Sequence, residues 1–315
     1  MNIISKFKNI IRDNRMLRAI WEKCLCKLLL KIDPKILANW TYRSRFNKNI
    51  NWGNPQNLIE KIYWLQMYSD TSLWTLCADK YKVRQYIKDK GCEDILNDLY
   101  GAWNDVEQID WQNLPSQFVL KCNNGCGQVI VVKDKSKLHL PSLQKQLKSW
   151  MTDKYGYEGA QLHYLSIESH IIAEQLLKNK DNSSLIDYKL WCFHGEPEFF
   201  LVAYDRKNAE DYKLSAYDLN WNNISDLVLN KTTTHYCGRD IPKPTSLQQM
   251  INVGKILSED FPEVRVDLYE VEGKVIFGEL TFTSGYGSYN EDFYLKLGEK
   301  LDLTKVAKLS APNKY

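Results

Sequence analysis

The sequence predicts an α+β fold, and three observations carry that prediction. Residues up to about 110 show a largely helical pattern, whereas beyond Pro115 short β-rich runs alternate with turn residues. Helical stretches near 142–153 and 246–259 fall between some of those runs without the regular alternation of a wound parallel sheet. The 315 residues, 44% hydrophobic and 26% charged, suffice for one elaborated domain or two to three packed subdomains and exclude a disordered or collagen-like chain.

In chain order, residues 1–31 come first, with eight basic side chains (Lys6, Lys8, Arg12, Arg15, Arg18, Lys23, Lys27, Lys31) against Asp13 and Glu22. Their apolar residues (Ile3, Ile4, Phe7, Ile10, Ile11, Leu17, Ile20, Trp21) recur at helical spacing. Two readings stand: a basic amphipathic helix on an anionic membrane surface, or a helix packed on its own domain. The whole chain is only +3, so the remainder is mildly acidic, which argues against nucleic acid as a partner. Leu58, Ile62, Leu65 and Met67 predict a helical face, and Asp79–Lys88 a second helix. Strands are expected at Phe118–Cys122, Val129–Val132, Ile171–Leu177, Tyr188–Phe193, Glu198–Tyr204, Val264–Val271 and Val275–Phe282. Asn54-Pro55, Leu114-Pro115 and Asp240–Pro244 read as seams. The eight cysteines form no Cys-x-x-Cys pair and no spaced Cys/His set, so they are expected to be buried, reduced small hydrophobes. No window of about 18 uninterrupted apolar residues and no secretion signal is evident, so the expected location is cytoplasmic, with the inner face of the membrane as the alternative.

The stretch from Val264 to Phe282 is the most informative. Alternation places Val264, Val266 and Leu268 on one face and Arg265, Asp267 and Tyr269 on the other. A three-residue loop at 272–274 pairs Asp267 with Glu279 and Arg265 with Thr281, and puts Gly278, Leu280 and Phe282 on the apolar face. Two facing carboxylates need a cation between them or a shared proton, and they suit magnesium, which leaves positions for phosphate oxygens. A solvated polar face neutralised by Arg265 is the alternative, and a two-residue loop would separate the pair. The run Lys121-Cys122-Asn123-Asn124-Gly125-Cys126-Gly127 between two strands reads as a flexible loop whose amides can approach phosphate, or as a mere turn. An apolar strand ending Glu174-Gln175-Leu176-Leu177 could offer backbone groups to an adenine edge, and Lys189 shares a face with Asp187, Trp191 and Phe193. No P-loop, Rossmann glycine pattern, nucleophile elbow, His-Glu-x-x-His or Asp-x-Asp is present.

In this order the blocks resemble the ATP-grasp fold, and more closely its teichuronopeptide-biosynthesis (TupA-like) family, often labelled glycosyltransferase. The segments are Asn57–Trp64, Ala78–Arg84, Phe118–Gly125, Ile172–Glu174, Asp187–Lys189 and Val264–Tyr269 through Phe277–Phe282, within roughly residues 52–300. The resemblance implies that a nucleotide is held between two mixed α/β subdomains behind a helical N-terminal region. Residues 1–50 lie outside it as a basic helical N-terminal extension, and it implies an N-terminal subdomain at 51–115, a central lid at 116–177 and a C-terminal subdomain at 178–315. Lys80 and Lys121 would contact ATP phosphates, and the Gly125–Gly127 loop would close over them. Glu174, Gln175, Leu176 and Leu177 would hold adenine, Lys189 would face the nucleotide, and Asp267 and Glu279 would hold magnesium. Many ATP-grasp enzymes carry an asparagine ligand where Thr281 stands, and the 283–288 loop sits where relatives bind the acceptor.

The chemistry so implied is ATP-dependent joining of a carboxylate to an amine through an acyl phosphate, with Arg265, or failing that Arg206, stabilising the intermediate. The expected partners are a carboxylated sugar or polysaccharide precursor and an amine. The alternative is a nucleotide-sugar-dependent glycosyltransferase of surface polysaccharide.

Overall fold

The structure is a computed structural model that describes residues 15–157, 159–181, 183–208, 211–310 and 313. Residues 1–14, part of the expected basic segment, lie outside the described residues.

The described chain opens with α1 (Arg15–Ile32) and α2 (Pro34–Phe46). Asp33 parts them: its carboxylate accepts from the Lys35 amide at 2.8 Å, and Pro34 occupies a first-turn position that needs no amide. Next, α3 (Leu58–Tyr68) starts in a capping box in which Asn57 and Glu60 satisfy each other's backbone amides. Its expected apolar residues Leu58, Ile62, Leu65 and Met67 are all fully buried. Short helices α4 (Ser72–Ala78) and α5 (Val83–Asp89) follow. The helix expected from Asp79 therefore starts four residues late. The Asp79 carboxylate accepts from the amides of Tyr81 and Lys82, a short-range bonding pattern that displaces the helix and leaves Lys80 on a turn.

A first antiparallel sheet has the order β1 (Leu99–Trp103), β4 (Ile171–Glu174), β2 (Phe118–Cys122), β3 (Val129–Val132). Leu143 and Leu147 of α6 (Leu140–Thr152) join its own small core with Phe118, Leu120, Val132 and Ile171. β1 precedes the expected seam at Pro115 yet pairs with β4, so this sheet draws on both sides of that seam. The strand expected to run to Leu177 stops at Glu174.

A second antiparallel sheet has the order β7 (Lys213–Tyr217), β6 (Glu196–Tyr204), β5 (Asp187–Phe193), β8 (Glu263–Val271), β9 (Lys274–Thr281). Between β7 and β8 lie α7 (Ser225–Val228) and α8 (Leu247–Ser258), and α9 (Glu291–Lys300) follows β9. This sheet shares the larger core with residues of α2, α3, α4, α8 and α9. The eight cysteines are free, but Cys24, Cys126 and Cys237 are exposed rather than buried, because they sit on a helix surface or in loops.

The β8–β9 hairpin keeps the expected pairing of Asp267 with Glu279 and of Arg265 with Thr281, but not by the expected loop. The loop has two residues, Glu272 and Gly273, with φ of 54° and 76°, the left-handed pair of a tight hairpin turn. Val271 thus pairs with Lys274 rather than Val275, one position off the expected register. A bulge at Gly278, opposite the step from Asp267 to Leu268, restores the pairing beyond it. It also turns Val275 and Phe277 onto the buried face. A Cβ on Gly278 would stand 2.9 Å from the Asp267 carbonyl oxygen, so the bulge requires glycine. Gly278→Ala is therefore expected to cost about 1–3 kcal/mol of stability in urea unfolding. An unchanged unfolding midpoint would show that this close approach is not a constraint.

Candidate active site

Strand alternation and pairing assemble one polar face. Asp187 lies opposite Tyr269, Lys189 opposite Asp267, Trp191 opposite Arg265 and Phe193 opposite Glu263, while β9 adds Glu279 and Thr281. The reverse face, including Leu190, Val264, Val266, Leu268 and Leu280, is buried in the core, which fixes which side the polar groups must take.

Asp267 is 2% exposed. It accepts from Arg265 Nε at 2.6 Å, from Arg265 Nη2 at 2.7 Å and from Lys189 Nζ at 2.6 Å. Lys189 Nζ also lies 2.6 Å from Asp187 Oδ2. Burial alone would lower the lysine's pKa, but Asp187 and Asp267 outweigh it and the net direction is up. The Arg265 guanidinium is likewise raised against desolvation, chiefly by Asp267. It reaches onward to the Ser284 hydroxyl and, at 3.2 Å, to Thr281 Oγ1. Asp187 Oδ1 has no hydrogen-bond partner, and burial pushes that carboxyl up.

Glu279 differs: its side chain is 38% exposed, with Oε2 3.5 Å from Lys80 Nζ and Oε1 3.9 Å from Arg265 Nη2. Desolvation would raise its carboxyl, yet Lys80, then Lys189, Arg265 and Lys121, bring it down to about 2. Cations thus stand around the facing acids, the condition that makes such a pairing tolerable.

The first sheet contributes the other wall. Lys121 Nζ lies 2.7 Å from Glu174 Oε2, and Arg84 Nη1 lies 3.5 Å from Oε1 of the same carboxylate. Lys80 Nζ donates to the Gly125 carbonyl at 2.7 Å, linking the 79–82 turn, the glycine loop and Glu279. The base of that loop is fixed. Asn123 Nδ2 donates to Asp79 and to the Glu168 carbonyl, each at 2.9 Å, and Asn124 Nδ2 donates to Ser169 Oγ at 2.8 Å. Its tip is exposed at Cys126 and Gly127, and Gly127 has φ of 76°.

Lys80, Gly125, Lys189, Arg265, Asp267 and Glu279 are thereby tied into one connected cluster, and Lys121, paired with Glu174 beside it, adds only its charge to the field at Glu279. Four sequence-predicted residues lie at its margin. Arg206 comes within 3.5 Å of Asp187 but is 39% exposed and packs over the Tyr212 ring. Gln175 is exposed, its amide donating to the Asp98 carbonyl at 2.9 Å, and Leu176 and Leu177 are half-buried just beyond β4. Glu174 stands beside the cluster, its carboxylate spent on Lys121 and Arg84. Arg84, Asp79 and Glu263 carried no assigned role in the sequence. Alternation from Arg265 could have placed Glu263 on the face, whereas Arg84 meets Glu174 across 90 positions and gives no local signal.

Carboxylate oxygens are the right donors for magnesium, and Glu279 fits, since its contacts are long and Thr281 Oγ1 stands 3.4 Å away. Asp267 fits by position, though both its oxygens accept from cations. No group of three or more His, Cys, Asp or Glu side chains that could hold a metal occurs among the described residues. An ion here would rest on two protein carboxylates and complete its shell from phosphate oxygens and water, as magnesium commonly does.

The profile of the family described as TupA-like ATPgrasp matches residues 60–302. Among solved structures, the chain is similar to D-alanine–D-alanine ligase from Bacillus anthracis complexed with ATP, at 15% identity and a TM-score of 0.45, over 73% of this chain and 63% of that one. It is similar to L-amino acid ligase from Bacillus licheniformis at 14% identity and a TM-score of 0.42, over 69% of this chain and 45% of that one. The D-alanine–D-alanine ligase from Helicobacter pylori is 18% identical with a TM-score of 0.43, over 77% of this chain and 68% of that one. The chain thus spans less than two thirds of the length of the first two. No curated protein matches it in sequence.

Glu263 adds a stability test. It is fully buried, neither carboxyl oxygen has a hydrogen-bond partner, and burial pushes its pKa well up, with Arg265 only partly opposing. A carboxyl raised in the folded state stabilises fully below its unfolded pKa and loses that contribution as pH climbs toward the folded value. Glu263→Gln is therefore expected to raise the melting temperature at pH 7 relative to the parent, with the gain shrinking toward pH 4. A gain independent of pH, or a loss at pH 7, would contradict a neutral buried acid.

Proposed function

Since the chain belongs to the TupA-like ATP-grasp family, we propose that it is a ligase that joins a carboxylate to an amine at the expense of ATP. One observation carries this reading: Lys80, on the turn before the first sheet, bridges the glycine loop and Glu279 of the second, and the charge of Lys121 helps to hold the Glu279 carboxyl down. In that reading, residues 51–115, 116–177 and 178–315 serve as the N-terminal subdomain, the lid and the metal-bearing subdomain, with β1 contributing to the lid sheet.

The substrate carboxylate is a poor electrophile. Its oxygen takes the γ-phosphoryl group, giving an acyl phosphate and ADP. The amine nitrogen then attacks the acyl carbon, phosphate departs, a proton is released and the amide remains. Lys80 and Lys121 hold phosphate oxygens, while Glu174, whose carboxylate orients Lys121, leads into Gln175, Leu176 and Leu177 beside the adenine. Gly125 and Gly127 close over the phosphates and exclude the water that would hydrolyse an acyl phosphate. Arg265, held rigidly between Asp267 and Ser284, faces the acyl phosphate, and Arg206 is the more distant candidate. Asp267 and Glu279 would hold magnesium, which when bound supplies neutralising charge to the phosphates.

We assign the carboxylate to a uronic-acid sugar or polysaccharide precursor of the cell surface, a context that the family resemblance alone supports. No helix among the described residues is long and apolar enough to cross a membrane. The proposed site of action is the cytoplasm or the inner membrane face.

The test is to supply ATP, magnesium, glucuronate-type acceptors and candidate amines. Phosphate and ADP release should require both acceptor and amine. Release of UDP from a nucleotide sugar, with no ATP turnover, would favour the glycosyltransferase reading and sink this one. Glu279→Gln and Lys80→Ala are each expected to lower kcat by roughly 10²–10³, the scale of losing one preorganised charge. Turnover at the parent rate in either variant would remove that residue from the mechanism.

A further inference from the structure

The helical hairpin at the start of the described chain presents a surface that the ligase reading does not use. The inner sides of α1 and α2 are consumed in packing, with Cys26, Leu30, Leu37, Ala38 and Tyr42 all buried. Their outer sides carry Leu28 and Ile32, one turn apart on α1, and Ile36 and Trp40, one turn apart on α2. These four side chains are 55%, 63%, 43% and 42% exposed, a grouping unusual for a surface that meets only water. The charge on the hairpin itself is predominantly positive, with Lys23 paired to Asp153 of a neighbouring segment. Residues 23–49 contain Lys23, Lys27, Lys31, Lys35, Arg43, Arg45 and Lys48 against the single acid Asp33, whose carboxylate is engaged at the start of α2.

We propose that this hairpin docks the protein peripherally on an anionic lipid surface, with Leu28, Ile32, Ile36 and Trp40 entering the headgroup–acyl boundary and the flanking lysines and arginines meeting the phosphates. Apolar insertion plus basic attraction is the composition that surface-seeking helices use, and a tryptophan suits the interface because its ring is apolar and its N–H is not. The charge pattern selects this occupant over a second copy of the chain. A two-fold contact would set the basic rim against itself. It selects against nucleic acid as well, since aliphatic side chains gain nothing from a phosphate backbone. Such docking would hold the cleft near membrane-borne precursors, but the inference does not rest on the enzymatic reading.

The experiment is flotation of the full chain with vesicles of phosphatidylcholine alone and with vesicles in which phosphatidylglycerol replaces part of it. Binding should appear only with phosphatidylglycerol and weaken as salt is raised. Ile32→Glu with Trp40→Glu, and separately Lys27→Glu with Lys31→Glu, should each weaken it by roughly tenfold or more while the melting temperature and ATP turnover stay at parental values. The proposal is overturned by absence of binding, by equal binding to neutral vesicles, or by variants that float like the parent. Self-association through the patch, or duplex DNA competing the vesicles off, would equally overturn it in favour of those partners.

Discussion

Compensation of charge on a single buried sheet face is the constraint on which the site depends. Asp267 is almost without solvent, and Arg265 grips it with two nitrogens while Lys189 adds a third contact. Arg265 in turn fixes Ser284, and Lys189 binds Asp187. Loss of any member would strand a buried partner, so the group behaves as one unit rather than as separate ion pairs.

Around this rigid unit the remaining charges are held more loosely. Glu279 lies at longer distances from its cations and has the larger exposure, so it can change partners at lower cost than Asp267. Lys80 stands between Glu279 and the glycine loop, while Lys121 is drawn back to Glu174. The arrangement sets a tightly gripped acid, Asp267, beside a loosely held one, Glu279, on the same second sheet. Under the proposed function, that division suits a cleft that admits a polyanionic nucleotide.

The backbone serves the same end through devices that look like irregularities. The Asp79 turn shortens a helix by four residues and in doing so brings Lys80 to the cleft. The Gly278 bulge inserts one residue into β9 and so offsets the two-residue turn at Glu272-Gly273. Each is a local departure from regular structure beside the site, where departures of this kind redirect a side chain.

The sequence by itself determined the mixed class of the fold, the positions of β2, β3, β5, β8 and β9 to within a residue or two, and the facing of Asp267 with Glu279. The class and the strand positions follow from alternation and flanking turn residues, which act over a few residues and are written in residue type, whereas the pairing of the two acids was reached through a loop that the structure does not have. Tertiary structure alone decided that Arg84 meets Glu174, that Glu263 is sealed without a partner, and that β1 joins the sheet beyond the proline seam. It also decided by which route the acids came to face each other. The three-residue loop was the simpler register, but the geometry of a tight hairpin favoured two residues and left the glycine bulge to correct the count. Contacts between segments ninety positions apart, and burial that depends on every neighbouring element at once, leave no periodic trace in the chain.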